Sequence, residues 1–345
     1  MTAVQKMLDL ALPIIQAPMA GVQDSALAIA VSNAGALGSL PCAMLSSDAL
    51  HVELSKLRSA TDKPFNVNFF CHRSPVPDTA AEAQWQKTLL PYYEELGLDA
   101  DAIPSGPGRL PFSDEAADIL AAFRPAVVSF HFGLPSAELL ARVRSWGSRI
   151  FSSATTLEEA LWLEEQGVDA VIAQGVEAGG HRGMFLTEDL TTQVGTFALL
   201  PQLKQALQVP VIAAGGIATP EGVRAALALG ADAVQVGTSY LLCHEATTSV
   251  VHRQALKGAR ARHTAITNLF TGRPARGIVN RIMQELGPVS QKAPAFPLAT
   301  SAIAPLRAKA ESQSSGDFSP LWAGQNVQGC SEVSAAEMTR WLAGS

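Results

Sequence analysis

Short apolar runs alternate with amphipathic stretches through most of this chain, and that alternation limits its fold more than any other feature. Strand-length runs recur at Leu12–Pro18, Ala36–Leu40, Pro64–Phe70, Ala126–Phe132, Arg149–Ala154, Ala170–Gln174, Pro210–Ala214 and Ala233–Val236. Between them lie helical patterns at Ser25–Asn33, Asp48–Arg58, Ala137–Trp146, Leu157–Gln166, Phe197–Leu207 and Glu221–Leu229, each ended by Gly, Pro or an acidic turn. Strand–helix–strand repetition implies βαβ units and a parallel sheet, and eight strands of this kind close a barrel. The expected fold class is α/β, a (β/α)8 TIM barrel; a doubly wound open sheet is the competing architecture. The segments Gly167–Gly175 and Gly230–Thr238 share the pattern Gly-x-Asp-Ala-Val, each following a helix and opening a strand. Half-barrel repetition would produce this, and so would the simple recurrence of helix, Gly cap, Asp turn and Val-rich strand.

Two regions break the rhythm. Residues 71–125 are too long for an ordinary crossover and carry Trp85, Tyr92, Tyr93 and a Gly/Pro stretch at Pro104–Pro111, so they read as an insertion after the third strand. Beyond the last barrel helix, Arg262–Gly287 reads as polar helix and turn, and Gln291–Gly329 is rich in Pro, Ala and Ser with little periodicity. This C-terminal helical or irregular segment is expected to wrap back as a cap over the barrel mouth. The division that follows is a barrel over residues 1–261 and a capping, substrate-side segment over 262–345.

Composition narrows the function classes. Across 345 residues the formal net charge is −6 and charged residues make up only 16%, with no long basic cluster, so nucleic acid is not an expected partner. No stretch reaches the roughly 18 apolar residues of a membrane helix, so no membrane partner is expected either. The apolar start resembles a signal peptide faintly, but Asp9, Pro13 and Gln16 interrupt it. Cys42, Cys71, Cys243 and Cys330 lie far apart with no CxxC pair, and the histidines at 51, 72, 244, 252 and 263 show no ligand spacing. A reducing cytoplasmic setting and no metal are expected.

Barrel enzymes place their chemistry on the loops after the strands' carboxyl ends. The seventh strand ends in Ala213-Ala-Gly-Gly-Ile217 and the eighth in Gln235-Val-Gly-Thr-Ser239. The missing side chains at Gly215, Gly216 and Gly237 allow backbone N–H groups to crowd a phosphate, and Thr238 adds a hydroxyl. Either loop alone would read as strand capping; both together mark the usual barrel phosphate position. No Gly-x-Gly-x-x-Gly fingerprint supports a dinucleotide. The sixth strand leads into Gln174-Gly-Val-Glu-Ala-Gly-Gly-His-Arg-Gly183, where Gly179 and Gly180 let the backbone pass close to a flat ligand and His181 is a candidate base. Arg182 is either an anion-holding cation or a solvated charge. At the end of the first strand Ala17 and Pro18 can present the backbone of their neighbours to a ring edge, and Asn68 offers donor and acceptor from the third strand. His131 is expected as a wall of the site. Met19, Met44 and Met184 suit an apolar pocket or ordinary core.

The ordered combination of Pro13-Ile-Ile-Gln-Ala-Pro-Met19, the Gly35–Gly38 turn, Phe65-Asn-Val-Asn68, Ser129-Phe-His-Phe-Gly133, Gln174–Gly183, the Gly215-Gly216 loop, Gln235–Thr238, Phe270-Thr-Gly-Arg-Pro-Ala-Arg276 and Leu321-Trp-Ala-Gly-Gln325 resembles the nitronate monooxygenase family. These are FMN-dependent (β/α)8 barrels. The resemblance implies FMN contacts from Ala17, Met19, Asn68, Gln174, Gly179, Gly216, Gln235, Val236, Gly237 and Thr238, and places His181 at the catalytic histidine. The implied reaction is oxidation of an alkyl nitronate, or a nitroalkane, by O2 to a carbonyl compound and nitrite, with a homodimer left open. Relatives often carry Tyr near the tail where this chain has Phe296-Pro-Leu, so Phe296 is an expected substrate-side contact without the hydroxyl. The alternatives are an FMN-dependent enoyl-acyl-carrier-protein reductase using NADH and a non-catalytic flavin-binding module.

Overall fold

The computed structural model describes residues 1–76, 78–103 and 109–344. Its strands in chain order are β1 (Ile14–Gln16), β2 (Gly38–Pro41), β3 (Phe65–Phe70), β4 (Val127–His131), β5 (Arg149–Ala154), β6 (Ala170–Gln174), β7 (Gly180–His181), β8 (Val211–Ala214), β9 (Ala233–Val236), β10 (Thr264–Thr267) and β11 (Ala275–Ile278). Eight of these form one parallel sheet in the order β1-β9-β8-β6-β5-β4-β3-β2. A parallel bridge between Ile15 and Leu37 joins its edges, with Gln16 N donating to the Leu37 carbonyl at 2.9 Å and Leu37 N to the Ile14 carbonyl at 3.0 Å. The result is a (β/α)8 barrel; seven of its strands lie inside the segments that the alternation marks, and β2 runs one residue past its segment, to Pro41. The six marked helices form over Ser25–Asn33, Ser47–Ala60, Ala137–Ser145, Leu157–Glu165, Thr196–Ala206 and Pro220–Ala228. Five of them start on a side-chain cap: Asp24, Ser46, Ser136, Thr156 and Thr219 each accept a first-turn backbone N–H.

Strand parity decides what reaches the barrel interior, because successive side chains point to opposite faces. Ile14, Val67, Val128, Ile150, Val171, Val211 and Val234 pack outward against the helices, while Ile15, Val127, Phe151, Ile172, Ile212 and Ala233 fill the axis. The helix Ala3–Leu8 contributes Val4 and Leu8 to that axial core and so belongs to the same packed interior. The repeated Gly-x-Asp-Ala-Val pattern has a structural cause. The Asp169 carboxylate accepts from Ile150 N at 2.8 Å and pairs with Arg149; the Asp232 carboxylate accepts from Val211 N at 3.0 Å and pairs with Lys204. Each aspartate ties the start of the strand that follows it to the start of the preceding barrel strand.

The insertion and the tail build a second core above the barrel. The helix Thr79–Leu96 packs on the helix Ala299–Ser312, with Trp85 Nε1 donating to the Ala299 carbonyl at 3.3 Å and the Tyr93 hydroxyl to the Ala302 carbonyl at 2.6 Å. Leu89, Phe270, Met283, Ile303, Leu306 and Phe318 close that core. The residues Pro104–Gly108 of the Gly/Pro stretch lie outside the described part.

Two expectations for the tail are corrected. Arg262–Gly287 is not mainly helix and turn: β10 and β11 pair antiparallel, and β11 also pairs antiparallel with β7, facing Ala275 to His181 and Arg276 to Gly180. Within Gln291–Gly329 stands a 14-residue helix, Ala299–Ser312, whose apolar residues face the insertion. The last helix, Ala335–Ala343, packs between Ser25–Asn33 and Pro220–Ala228 and takes the eighth place in the outer ring. Its Ala335, Met338 and Leu342 join the main core, and Thr339 bonds the Tyr240 hydroxyl at 2.9 Å. Met338→Ala, which truncates a side chain 1% exposed, should therefore destabilise the barrel itself by about 2–5 kcal/mol. A lower urea midpoint in the barrel's unfolding transition, and not merely local fraying of the tail, is the expected result.

Candidate active site

The inward parity of the strands' last residues places Asn68, His131, Gln174 and Gln235 around the barrel mouth, joined by Ser129 and Ser153. The loops Ala17–Met19, Gly179–His181, Gly215–Gly216 and Gly237–Thr238 complete the wall, around about 1370 Å³ of space that includes open solvent at the mouth. Two expected residues do not line it. Val236 has the outward parity of Val234, so its side chain lies in the core at 1% exposure; only its carbonyl serves the mouth, accepting from Ala17 N at 2.8 Å. Phe296 is buried one layer back, 5.5 Å from the His181 ring between centroids.

Around the glycine loops the backbone is shaped before any ligand arrives. Gly215 and Gly216 have φ of +118° and +71°, conformations that side chains resist. Glu177 accepts both the Thr196 backbone N–H, at 2.9 Å, and its hydroxyl, capping the helix Thr196–Ala206 in place of Gly195, which has no side chain to do so. The Thr238 oxygen accepts from Gly324 N at 3.0 Å, which leaves the hydroxyl hydrogen as a donor at the cavity wall. Asn326, a tail residue with no motif to announce it, also lines the cavity and donates to the Gly216 carbonyl at 3.3 Å. Gly179 has a packing role as well: a Cβ there would stand 2.6 Å from the Ala323–Gly324 backbone.

Several side chains have free polar ends. Asn68 donates Nδ2 to the Ser129 carbonyl and hydroxyl at 3.2 and 2.9 Å, leaving its carbonyl oxygen without a partner among the described residues. Gln235 makes no side-chain bond among them. Gln174 is more committed: Nε2 donates to the His181 carbonyl at 3.0 Å and Oε1 accepts from Gly183 N at 2.7 Å, so it clamps the histidine loop and keeps one N–H for the cavity.

His181 sits at the cavity edge with Nε2 2.9 Å from the Thr271 hydroxyl. Thr271 directs its hydrogen to the Arg273 carbonyl at 3.3 Å, so its oxygen accepts from His181 Nε2–H and Nδ1 is left as the unprotonated nitrogen. Burial holds the His181 pKa well below the ordinary 6.5, and the Arg109 charge, then His131, Arg273 and His72, push in the same direction. His131 is a neutral wall. Its Nε2–H donates to the His181 carbonyl at 3.1 Å, Ser153 donates to its Nδ1 at 3.1 Å, and burial drops its pKa to about 3.

Arg182 meets neither expectation, for it neither faces a ligand nor solvent. It is fully buried, donating Nε to Gln193 Oε1 at 2.9 Å, NH1 to the Gly175 carbonyl at 2.8 Å and NH2 to the Gln174 carbonyl at 2.8 Å. Burial lowers its pKa to about 9, which still leaves a cation at neutral pH. Residues to which the sequence assigns no site role also gather here. His72 packs edge-on against Phe296 at 4.8 Å, Trp322 stands 5.7 Å from His181, and His252 and Arg109 line the cavity. Phe70, Phe132 and Phe296 form an apolar box beside His181. Of the three methionines, Met19 lines the cavity, Met184 is buried and Met44 is exposed.

Comparison with known proteins agrees with this geometry. The family model described as nitronate monooxygenase matches residues 2–343. A nitronate monooxygenase of Paraburkholderia phytofirmans is 44% identical over 335 residues, covering 96% of this chain and 91% of that protein. One from Pseudomonas aeruginosa is 42% identical over 346 residues, covering 98% and 97%. Among solved structures, nitroalkane oxidase from Streptomyces ansochromogenes superposes with a TM-score of 0.90 at 39% identity, over 99% of this chain and 97% of that one. FabK from Thermotoga maritima gives a TM-score of 0.73 at 26% identity, over 99% and 94%.

Of the three acceptors around Arg182, the Gly175 carbonyl also takes the Ala178 N–H at 3.1 Å, whereas the Gln174 carbonyl and Gln193 Oε1 have no other donor among the described residues. Arg182→Met should leave the Gln174 carbonyl and the Gln193 amide oxygen unpaired, at about 1–3 kcal/mol each. Arg182→Lys should recover little, because an ammonium cannot reproduce the planar three-way fork. The expected observation is a lowered urea midpoint for both variants together with weakened retention of the ligand held at the cavity.

Proposed function

The chain belongs to the nitronate monooxygenase family, and we propose from that premise that it oxidises alkyl nitronates with O2, using FMN and giving a carbonyl compound and nitrite. It is a flavin-dependent oxidoreductase acting on nitronates or nitroalkanes. In this reading residues 1–261 supply most of the cofactor wall, with Gly324 and Asn326 reaching its cup, and 262–345 add to the substrate side, with the cytoplasm as compartment, in keeping with four free cysteines. Among the described residues, no helix is long and apolar enough to cross a membrane.

The observation that carries the reading is a desolvated, neutral His181 at the edge of a cavity whose other end is a glycine-lined backbone cup. Gly216, Gly237 and Thr238 suit a single terminal phosphate, while the free Asn68 oxygen and the unpartnered Gln235 amide suit the polar edge of a flat heterocycle; Ala17, Met19, Gln174, Gly179 and Gly180 would border it. Bound FMN supplies the redox chemistry between nitronate and O2. The protein's part is to orient and to move one proton. With Nε2–H held by Thr271, the Nδ1 lone pair of His181 is free to take the α-proton of a neutral nitroalkane. A nitronate has already lost that proton and needs only binding and alignment. Phe296 and its neighbours exclude water from the histidine, and His131 and Gln174 hold the loop by its carbonyl.

Purified protein should consume O2 and release nitrite with a nitronate in the absence of NAD(P)H, and should yield FMN, not FAD, on heating. Flavin bleaching by NADH before O2 is admitted would favour the reductase, and bound flavin with no turnover would favour a storage module. His181→Asn should keep FMN and lose roughly 10²–10⁴-fold on a neutral nitroalkane, with a smaller loss on the preformed nitronate. Equal losses on both substrates would instead assign His181 to anion binding.

The lowered histidine pKa fixes the sign of the pH dependence. The base form is the active one and is already populated well below pH 6.5. For a neutral nitroalkane, kcat/KM should therefore pass through pH 6.5 without a break and fall only at more acid pH. An acid limb centred at or above 6.5 would contradict the desolvated site.

A further inference from the structure

The inference concerns Arg109, and it rests on the reading of the cavity as a nitronate site. Arg109 enters the cavity wall from the insertion, on the same side as His181. Its backbone carbonyl accepts from His72 Nε2 at 3.0 Å, and its guanidinium carbon lies 5.7 Å from the Phe296 ring centroid, the ring that also flanks His181 at 5.5 Å. The guanidinium has no hydrogen-bond or carboxylate partner among the described residues, and its Nη1 is buried without one. Nor does the preceding stretch Pro104–Gly108 contain an acid. Among the described residues that line the cavity there is no Asp or Glu at all. Neither neighbouring arginine lines the cavity: the Arg273 guanidinium lies over Phe132 at 3.9 Å and donates to the Met184 carbonyl, with its Nε buried and unpartnered among the described residues, and Arg307 pairs with Glu311 at 2.8 Å.

A half-buried guanidinium with a buried, unpaired nitrogen is costly to keep unless an anion completes it, and a planar pair of oxygens matches its fork. We propose that Arg109 is the substrate-positioning cation, holding the two nitro oxygens of the nitronate so that the α-carbon lies toward His181. In the oxidation of a neutral nitroalkane the α-proton passes to His181 while the C–H electron pair delocalises into the C–N bond and onto those oxygens. Arg109 then stabilises the charge where it develops. The insertion is thereby assigned a part in recognition, carried by one residue.

Nitrate, a planar oxyanion that cannot react, is the probe. In the wild-type holoenzyme it should perturb the flavin absorbance and inhibit competitively against nitronate. Arg109→Met should weaken nitrate binding and raise the nitronate KM by roughly 10- to 100-fold, with flavin content unchanged and the melting temperature equal or higher. Arg109→Lys should recover part of both, and Arg109→Gln, which keeps polarity without charge, should resemble the Met variant. The assignment is overturned if nitrate fails to bind the wild type, or if nitrate affinity and KM in the Met and Gln variants stay within about twofold of it. Should nitronate turnover be absent from the wild type while nitrate still binds through Arg109, the functional reading fails and the anion seat stands.

Discussion

Three successive carbonyls leave the end of β6 with no strand or helix to receive them, and two buried arginines take all three. Arg182 donates to Gln174 and Gly175, and Arg276, which reaches back from β11, donates to Val176 at 2.9 Å. A further main-chain bond, Arg182 N to the Pro274 carbonyl at 2.8 Å, holds the two segments together beside the β7–β11 pairing. The position of His181 follows from these contacts, since its own carbonyl is held by Gln174 and His131 and its ring by Thr271. Two like charges placed this close repel each other, and burial adds to the cost; the exchange is a loop with one geometry. The site is therefore built on cations that touch no ligand.

This division separates two halves of the cavity by origin. The cup and the polar ring edge come from barrel strand ends, where parity alone decides which side chain faces inward. The proposed substrate side comes from pieces distant in sequence, Arg109 from the insertion and Trp322 from the tail, while the tail's Gly324 and Asn326 reach the cup by bonding to Thr238 and Gly216. Their shared core, in which Trp85 and Tyr93 bond to the carbonyls of Ala299 and Ala302, keeps these pieces in register.

That origin also explains what could be read from the residues in order. Barrel strands and helices carry their own periodicity and caps, so Ala170–Gln174 or Ser25–Asn33 is visible within a dozen residues. The glycine loops and His181 are visible because their place after a strand has meaning in a barrel. Gly180–His181 as a strand is not, since two residues have no pattern and the partner lies at Ala275–Arg276. The helix Ala299–Ser312 is masked by Ala, Ser and an internal Pro305, and it depends on packing against the insertion more than on a marked apolar face. Val236 stands among the cofactor contacts only through the resemblance, since counting alternate residues from Gln235 turns its side chain outward. Arg182 looked like a surface or ligand charge because nothing local reveals three acceptors waiting in the interior.

The helix Ala335–Ala343, which fills the eighth place in the outer ring, has a consequence for the order in which the molecule can come into being. A regular barrel could close its ring as soon as the helix after the eighth strand emerged from the ribosome. Here the flanks presented by Leu27, Val31, Val223 and Ala226 stay uncovered until the hairpin β10–β11, the helix Ala299–Ser312 and the cavity-lining tail have all been made. The cap must assemble on a barrel still open on one side, and the same final helix that seals the scaffold fixes the tail across its mouth. Scaffold and binding cavity are thus completed in one late step of synthesis, with no finished barrel waiting beforehand for its cap.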